Sequence, residues 1–139
     1  MNAPRAAGYS GTPLSTKLGI KEAQRVLLVG APANYKRLLA PLPPAVKFVS
    51  QPDAKVDVAQ VFVTQRESLA KILRTLRKKL KPEATMWISW PKKSAKVPTT
   101  ITEDIIRELA LPLGLVDIKV CAVTEVWSGL KLVVRLELR

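Results

Sequence analysis

Histidine is absent from this 139-residue chain, and cysteine occurs once. The first absence removes imidazole chemistry: no Ser–His or Cys–His nucleophile pair, no His-ligated metal and no histidine pH switch. The second removes any internal disulfide framework. Cys121 lies in the apolar run VDIKVCAV, where a buried, inert thiol is expected. Acid is scarce too, with 11 carboxylates against 23 Lys and Arg, a formal charge of +12. Asp53, Asp57, Glu103, Asp104, Asp117 and Glu125 are scattered, with no spacing that demands acid–base work, and no metal site is indicated. No stretch reaches the roughly 18 apolar residues of a membrane span. No apolar run follows Arg5 as a secretory signal requires, so a cytoplasmic setting without membrane contact is expected.

What is present is enough apolar sequence for a core, arranged as alternating strands and helices. The composition, 47% hydrophobic, is not that of a disordered chain. Residues 1–8 read as a flexible tail and 9–139 as one α/β domain. Thr12-Pro13 reads as an N-cap with proline at the first helical position, opening a short helix that shares Leu14 and Leu18 on one face and stops at Gly19. RVLLVGAP (25–32) is a continuous apolar run suited to a central parallel strand. Asn34 caps a short helix with Tyr35, Leu38 and Leu39 on one side. Strands are read at 45–50 and 56–64. The strongest helix is 66–80, with Leu69, Ile72, Leu73, Leu76 and Leu80 at helical spacing. A fourth strand covers 84–91. Thr100 and Glu103 read as a capping box before a helix that turns Ile101, Ile105, Ile106 and Leu109 inward. Strands at 115–123 and 130–138 close the chain across a reversal at 124–129 too short for a helical crossover, so they are expected to pair antiparallel. The last strand should lie beside the strand of Trp87 to Trp90, antiparallel to it.

This order resembles the C-terminal part of the S-adenosylmethionine-dependent methyltransferase fold, including its reversed last strand. The resemblance implies a Rossmann-like three-layer α/β sandwich, a reduced methyltransferase-like sheet of about six strands with the last one antiparallel. A second resemblance is carried by GYSGTPLSTKLGIK (8–21), VLLVGAP (26–32), VFVTQR (61–66), WISWPKK (87–93) and LPLGLVDIKVCAVTEVWSGLKLVVR (111–135). Over these segments the chain is similar to an uncharacterised bacterial family, domain of unknown function 3052 (DUF3052). That likeness implies a compact bacterial cytosolic protein. Working methyltransferases carry a glycine-rich turn after the first strand and an acidic residue at the end of the next. Here those places read Gly30-Ala31-Pro32-Ala33-Asn34 and Val49-Ser50, with Asp53 coming late.

Ligands of open α/β sheets gather beyond the carboxyl ends of the strands. The loops expected there bring together a candidate cleft of Tyr9, Ser10, Thr12, Gly30, Asn34, Thr64, Trp90, Lys92 and Lys93. The competing reading has Tyr9 and Trp90 capping the core while the lysines face water. Lys92 and Lys93 beside Trp90 suit phosphate contact with stacking, or simply a solvated loop. The turn at Gly30 suits an anion at its N–H groups, or a plain strand–helix turn, and Pro32 removes one donor. Trp127-Ser128-Gly129 is read at a hairpin tip, either as an interface aromatic or folded back on Leu113 and Leu115. Lys71, Arg74 and Lys78 share one helix face and form a basic patch, either for weak nucleic-acid binding or for solubility.

The function read from these residues is a non-catalytic ligand- or partner-binding protein with a degenerate methyltransferase-like fold and no cofactor. The alternatives are a methyltransferase that uses S-adenosylmethionine and a non-specific nucleic-acid-binding protein. The partner is read as an unknown protein or small molecule.

Overall fold

The structure is a computed structural model, and it describes residues 11–139. Tyr9, Ser10 and the tail read at 1–8 therefore lie outside the described residues. Strands β1 (Arg25–Val29), β2 (Lys47–Val49), β3 (Val58–Phe62), β4 (Thr85–Pro91), β5 (Leu115–Ala122) and β6 (Trp127–Val134) form one sheet in the order β2-β1-β3-β4-β6-β5. The pairs β1–β2, β1–β3 and β3–β4 are parallel, and β6 runs antiparallel between β4 and β5. The expected insertion of the last strand beside Trp87–Trp90 holds, with Trp87 opposite Lys131 and Ile88 opposite Leu130.

Both sheet faces are covered, which is why β3 is buried at every position. Helices α3 (Arg66–Lys79) and α4 (Glu103–Ala110) cover one face. Leu69, Leu73, Leu76, Ile106 and Ala110 pack there on Leu27, Ala59, Val61, Met86, Ile88, Leu130 and Leu132. On the other face two short helices, α1 (Leu14–Lys17) and α2 (Tyr35–Leu39), with the turn after α1, place Leu18, Ile20, Tyr35 and Leu39 against Val26, Val58, Phe62 and Trp87. The result is the three-layer α/β sandwich that the alternation of elements implies.

Several local expectations are corrected. Thr12 does not cap α1: Pro13 occupies the N-cap position, with no side-chain hydrogen bond there. Asn34 sits at the N-cap of α2 without a capping side-chain bond, and Leu38 faces out. The capping box at Thr100 gives way to Thr102, whose hydroxyl accepts from the Ile105 N–H at 3.2 Å. Glu103 pairs forward with Arg107 instead of reaching back. Thr100 accepts the Arg66 N–H at 2.7 Å, so it serves the start of α3 from across the fold. The final strand starts at Trp127 and ends at Val134. Thr124 tightens the preceding turn by accepting the N–H groups of Val126 and Trp127, each at 3.1 Å. Leu136–Leu138 form a single 3-10 turn with Leu136 exposed. Cys121 is half-buried rather than buried; its burial raises the thiol pKa, and the Lys17 and Lys119 charges oppose that rise.

Candidate functional site

Strands β1, β3 and β4 are adjacent and parallel, so their carboxyl ends open on one edge of the sheet. That topology brings Gly30, Thr64 and the segment Trp90–Lys93 to a common edge. Gly30 and Asn34 are exposed in the loop from β1 to α2. The Thr64 carbonyl accepts the Thr100 N–H at 2.9 Å and the Thr99 hydroxyl at 2.7 Å, stitching the exit of β3 to the segment before α4. Trp90 is half-buried and packs against the α3/α4 core, as the core-capping reading has it. The Lys92 N–H donates to the Val126 carbonyl at 2.8 Å, and Lys93 is exposed at the start of a 3-10 turn. Thr12 is half-buried ahead of α1.

Between α2 and the sheet lies a polar group that the sequence reading missed. The Tyr35 hydroxyl donates to Gln60 Oε1 at 2.6 Å, with both side chains fully buried. Burial, and then the nearby Cys121, push the Tyr35 phenol far above its ordinary value, so it stays a neutral donor. Gln60 Nε2 and Ser89 Oγ are buried with no hydrogen-bond partner. Such orphans each cost about 1–3 kcal/mol, and proteins keep few of them. Phe62 flanks this group; it meets Tyr35 edge-on at 4.7 Å and Trp127 edge-on at 5.1 Å. Trp127 is thus half-buried against Phe62, neither a free hairpin tip nor folded on Leu113 and Leu115. The missed signal was Gln60 itself, the one polar residue inside VAQVF, where an apolar run argues a strand buried on both faces.

The edge can be tested against the group this fold commonly binds, S-adenosylmethionine. Gly30 has φ +67°, and a Cβ there would stand 2.7 Å from the Phe62 carbonyl oxygen. The glycine therefore lets β1 leave the sheet tight against β3, and its open side is filled by the protein's own backbone. At the end of β2 the chain offers Val49 and an exposed Ser50, with no carboxylate. Asp53 accepts the Lys55 N–H at 2.8 Å and is tied into its own turn. These residues do not fit the usual seat of that cofactor.

Elsewhere, Lys71, Arg74 and Lys78 are exposed along α3, opposite its leucine stripe, and form no ion pair among the described residues. Asp57 ties the starts of β1 and β3 to the end of α3: it accepts the Arg25 N–H at 2.8 Å and pairs with Lys81. Among the described residues no three His, Cys, Asp or Glu side chains gather as a metal site would need, and no helix is long and apolar enough to cross a membrane.

No protein-family model matches the sequence, and no curated protein matches it. Solved structures do. A S-adenosylmethionine-dependent methyltransferase from Aquifex aeolicus superposes with a TM-score of 0.64 at 20% identity, over 87% of this chain and 87% of that one. Fibrillarin from Aeropyrum pernix, solved with natively bound S-adenosyl-L-methionine, gives 0.56 at 15%, over 86% and 73%. A putative type 11 methyltransferase from Sulfolobus solfataricus gives 0.55 at 15%, over 78% and 83%. At these identities the likeness establishes the fold alone: a Rossmann-like methyltransferase-type α/β sheet with antiparallel closing strands.

Proposed function

We propose that this chain is a binding protein on a methyltransferase-type fold, one that does not use the fold's usual cofactor seat. The observation that carries the reading is Gly30. In a cofactor-binding turn, glycine clears room for the ligand; here the room it clears is taken by the Phe62 carbonyl, 2.7 Å from where a Cβ would be. The missing carboxylate beside Ser50 supports the same reading. The ligand or partner would be met at the edge formed by Gly30, Asn34, Thr64, Trp90, Lys92 and Lys93. The resemblance to domain of unknown function 3052, with the bacterial cytosolic setting it implies, belongs to this proposal.

The rival reading is a methyltransferase that holds S-adenosylmethionine in an altered pocket. It is favoured by its structural neighbours, which include a methyltransferase named for that cofactor and a fibrillarin solved with it bound. Calorimetric titration with S-adenosylmethionine and S-adenosylhomocysteine separates the two. The binding-protein reading expects Kd above roughly 100 μM for both, no more than about −5.5 kcal/mol. Low-micromolar binding of either would replace it with the enzyme reading.

A further inference from the structure

We propose that Lys21, Lys119 and Lys131 form a binding site for a compact polyphosphate-type anion, on the sheet face opposite α3. The inference stands apart from the carboxyl-edge site and does not depend on it. Three side chains in register across β4, β6 and β5 set its floor: Trp87 opposite Lys131, and Lys131 opposite Lys119. Trp87 is fully buried, and its indole N–H donates to the Leu18 carbonyl at 2.9 Å. That bond pins the turn after α1 over the strands. Lys131 lies across the indole with Nζ 5.9 Å from the ring centroid. The same Nζ is 3.5 Å from where a Cβ on Gly19 would stand, so the ammonium lies beside this turn. Lys119 Nζ reaches the same turn and donates to the Lys17 carbonyl at 3.1 Å. Lys21 follows two residues after Gly19.

The electrostatics of this arrangement are unbalanced. Burial, then the charges of Lys119 and Lys21, hold the Lys131 ammonium below the ordinary lysine range. No carboxylate pairs with Lys21, Lys119 or Lys131 among the described residues. Asp117, the acid on β5, is turned to the other face, where it binds Arg107 at 3.1 Å. One carbonyl and one indole face offset part of the charge. A protein gains nothing in stability from crowding three cations and partly desolvating one, whereas an anion with several oxygens would turn their mutual repulsion into attraction and offset the desolvation. Lys119 and Lys131 meet the turn that Lys21 follows, and the three do not run as a stripe along one element. The aromatic beneath them is sealed from solvent, so no base can stack on it. Both features favour a short chain of phosphates over a nucleic-acid strand.

The test is calorimetric titration with inorganic tripolyphosphate in low salt, in parallel with a single-stranded RNA oligonucleotide. Wild type is compared with K131Q, with K21Q/K119Q, and with K71Q/R74Q/K78Q, which removes exposed charge from the opposite face. The site predicts tripolyphosphate binding that weakens about tenfold in K131Q and in K21Q/K119Q, or about 1.4 kcal/mol. It predicts less than about a twofold change in the α3 variant. K21Q/K119Q alters only two exposed side chains, which guards the result against a folding failure of K131Q. Equal weakening in all variants would show a delocalised positive field and overturn the site. No tripolyphosphate binding, or binding of RNA alone, would also overturn it.

Discussion

The two faces of the sheet are built differently. The α3/α4 face is an apolar layer, closed by a 14-residue helix and an 8-residue one. The α1/α2 face is closed by helices of 4 and 5 residues. On that second face lie the Tyr35–Gln60 bond, the orphaned Gln60 Nε2 and Ser89 Oγ, and the partly buried Lys131. Long amphipathic helices bury enough leucine to hold the sheet, while short ones leave polar groups in place that a purely structural layer would have exchanged for apolar ones. Both faces bury apolar side chains, but only the second keeps unpaired polar groups and a partly buried cation within its layer.

Substitutions on the two faces should therefore separate stability from binding. Leu73→Ala, in the middle of the α3 layer, is expected to cost about 2–5 kcal/mol in urea unfolding, because it removes a fully buried side chain from a packed site. A cost under 1 kcal/mol would mean that the α3 face is loosely packed. Gly30→Ala should come next, at about 1–3 kcal/mol, since it combines a left-handed backbone with a clash against Phe62. This loss should appear in thermal melts whether or not any ligand is present.

Polar substitutions on the second face should have smaller effects, and they should not all share one sign. Tyr35→Phe strips Gln60 Oε1 of its donor and should destabilise by about 1 kcal/mol. Ser89→Ala removes an orphan and should be neutral or stabilising by up to about 1 kcal/mol. If Ser89→Ala instead destabilised clearly, Ser89 would be a structural hydrogen-bonding group and the contrast between the faces would weaken.

A further prediction concerns acid. Burial acts to raise the Asp57 pKa, but the Lys81 ammonium and the Arg25 N–H outweigh it and leave the carboxyl below its ordinary value. With the folded value depressed, the stabilisation is complete above the unfolded pKa near 3.9 and is lost as pH falls through the folded one. Asp57→Asn should cost under about 1 kcal/mol at pH 7, as a partly exposed pair does. The difference from wild type should shrink as pH falls through the depressed folded value. A difference that persists below that value would assign the effect to packing.

How much of this was legible in the sequence follows from range. Continuous apolar runs and the leucine stripe of 66–80 are local and placed the strands and α3, while the short reversal at 124–129 pointed to the inserted last strand, whose bounds shifted to Trp127–Val134. Thr100 was misread because its partner is the Arg66 N–H, 34 positions away, and no local pattern encodes that bond. The cluster of Gln60, Tyr35 and Ser89 escaped for the same reason, as did Lys119 and Lys131, which meet only through the pairing of β5 with β6. Of the candidate edge, Gly30, Thr64 and Trp90 were reachable from strand order, but the closeness of Gly30 to Phe62 was not.

The central claim is that the turn after β1 closes on its own sheet and leaves no ordinary seat for S-adenosylmethionine. A calorimetric titration of the purified chain with that cofactor is its most direct test. The account predicts no saturation below roughly 100 μM. A well-defined isotherm with Kd in the low micromolar range would contradict it.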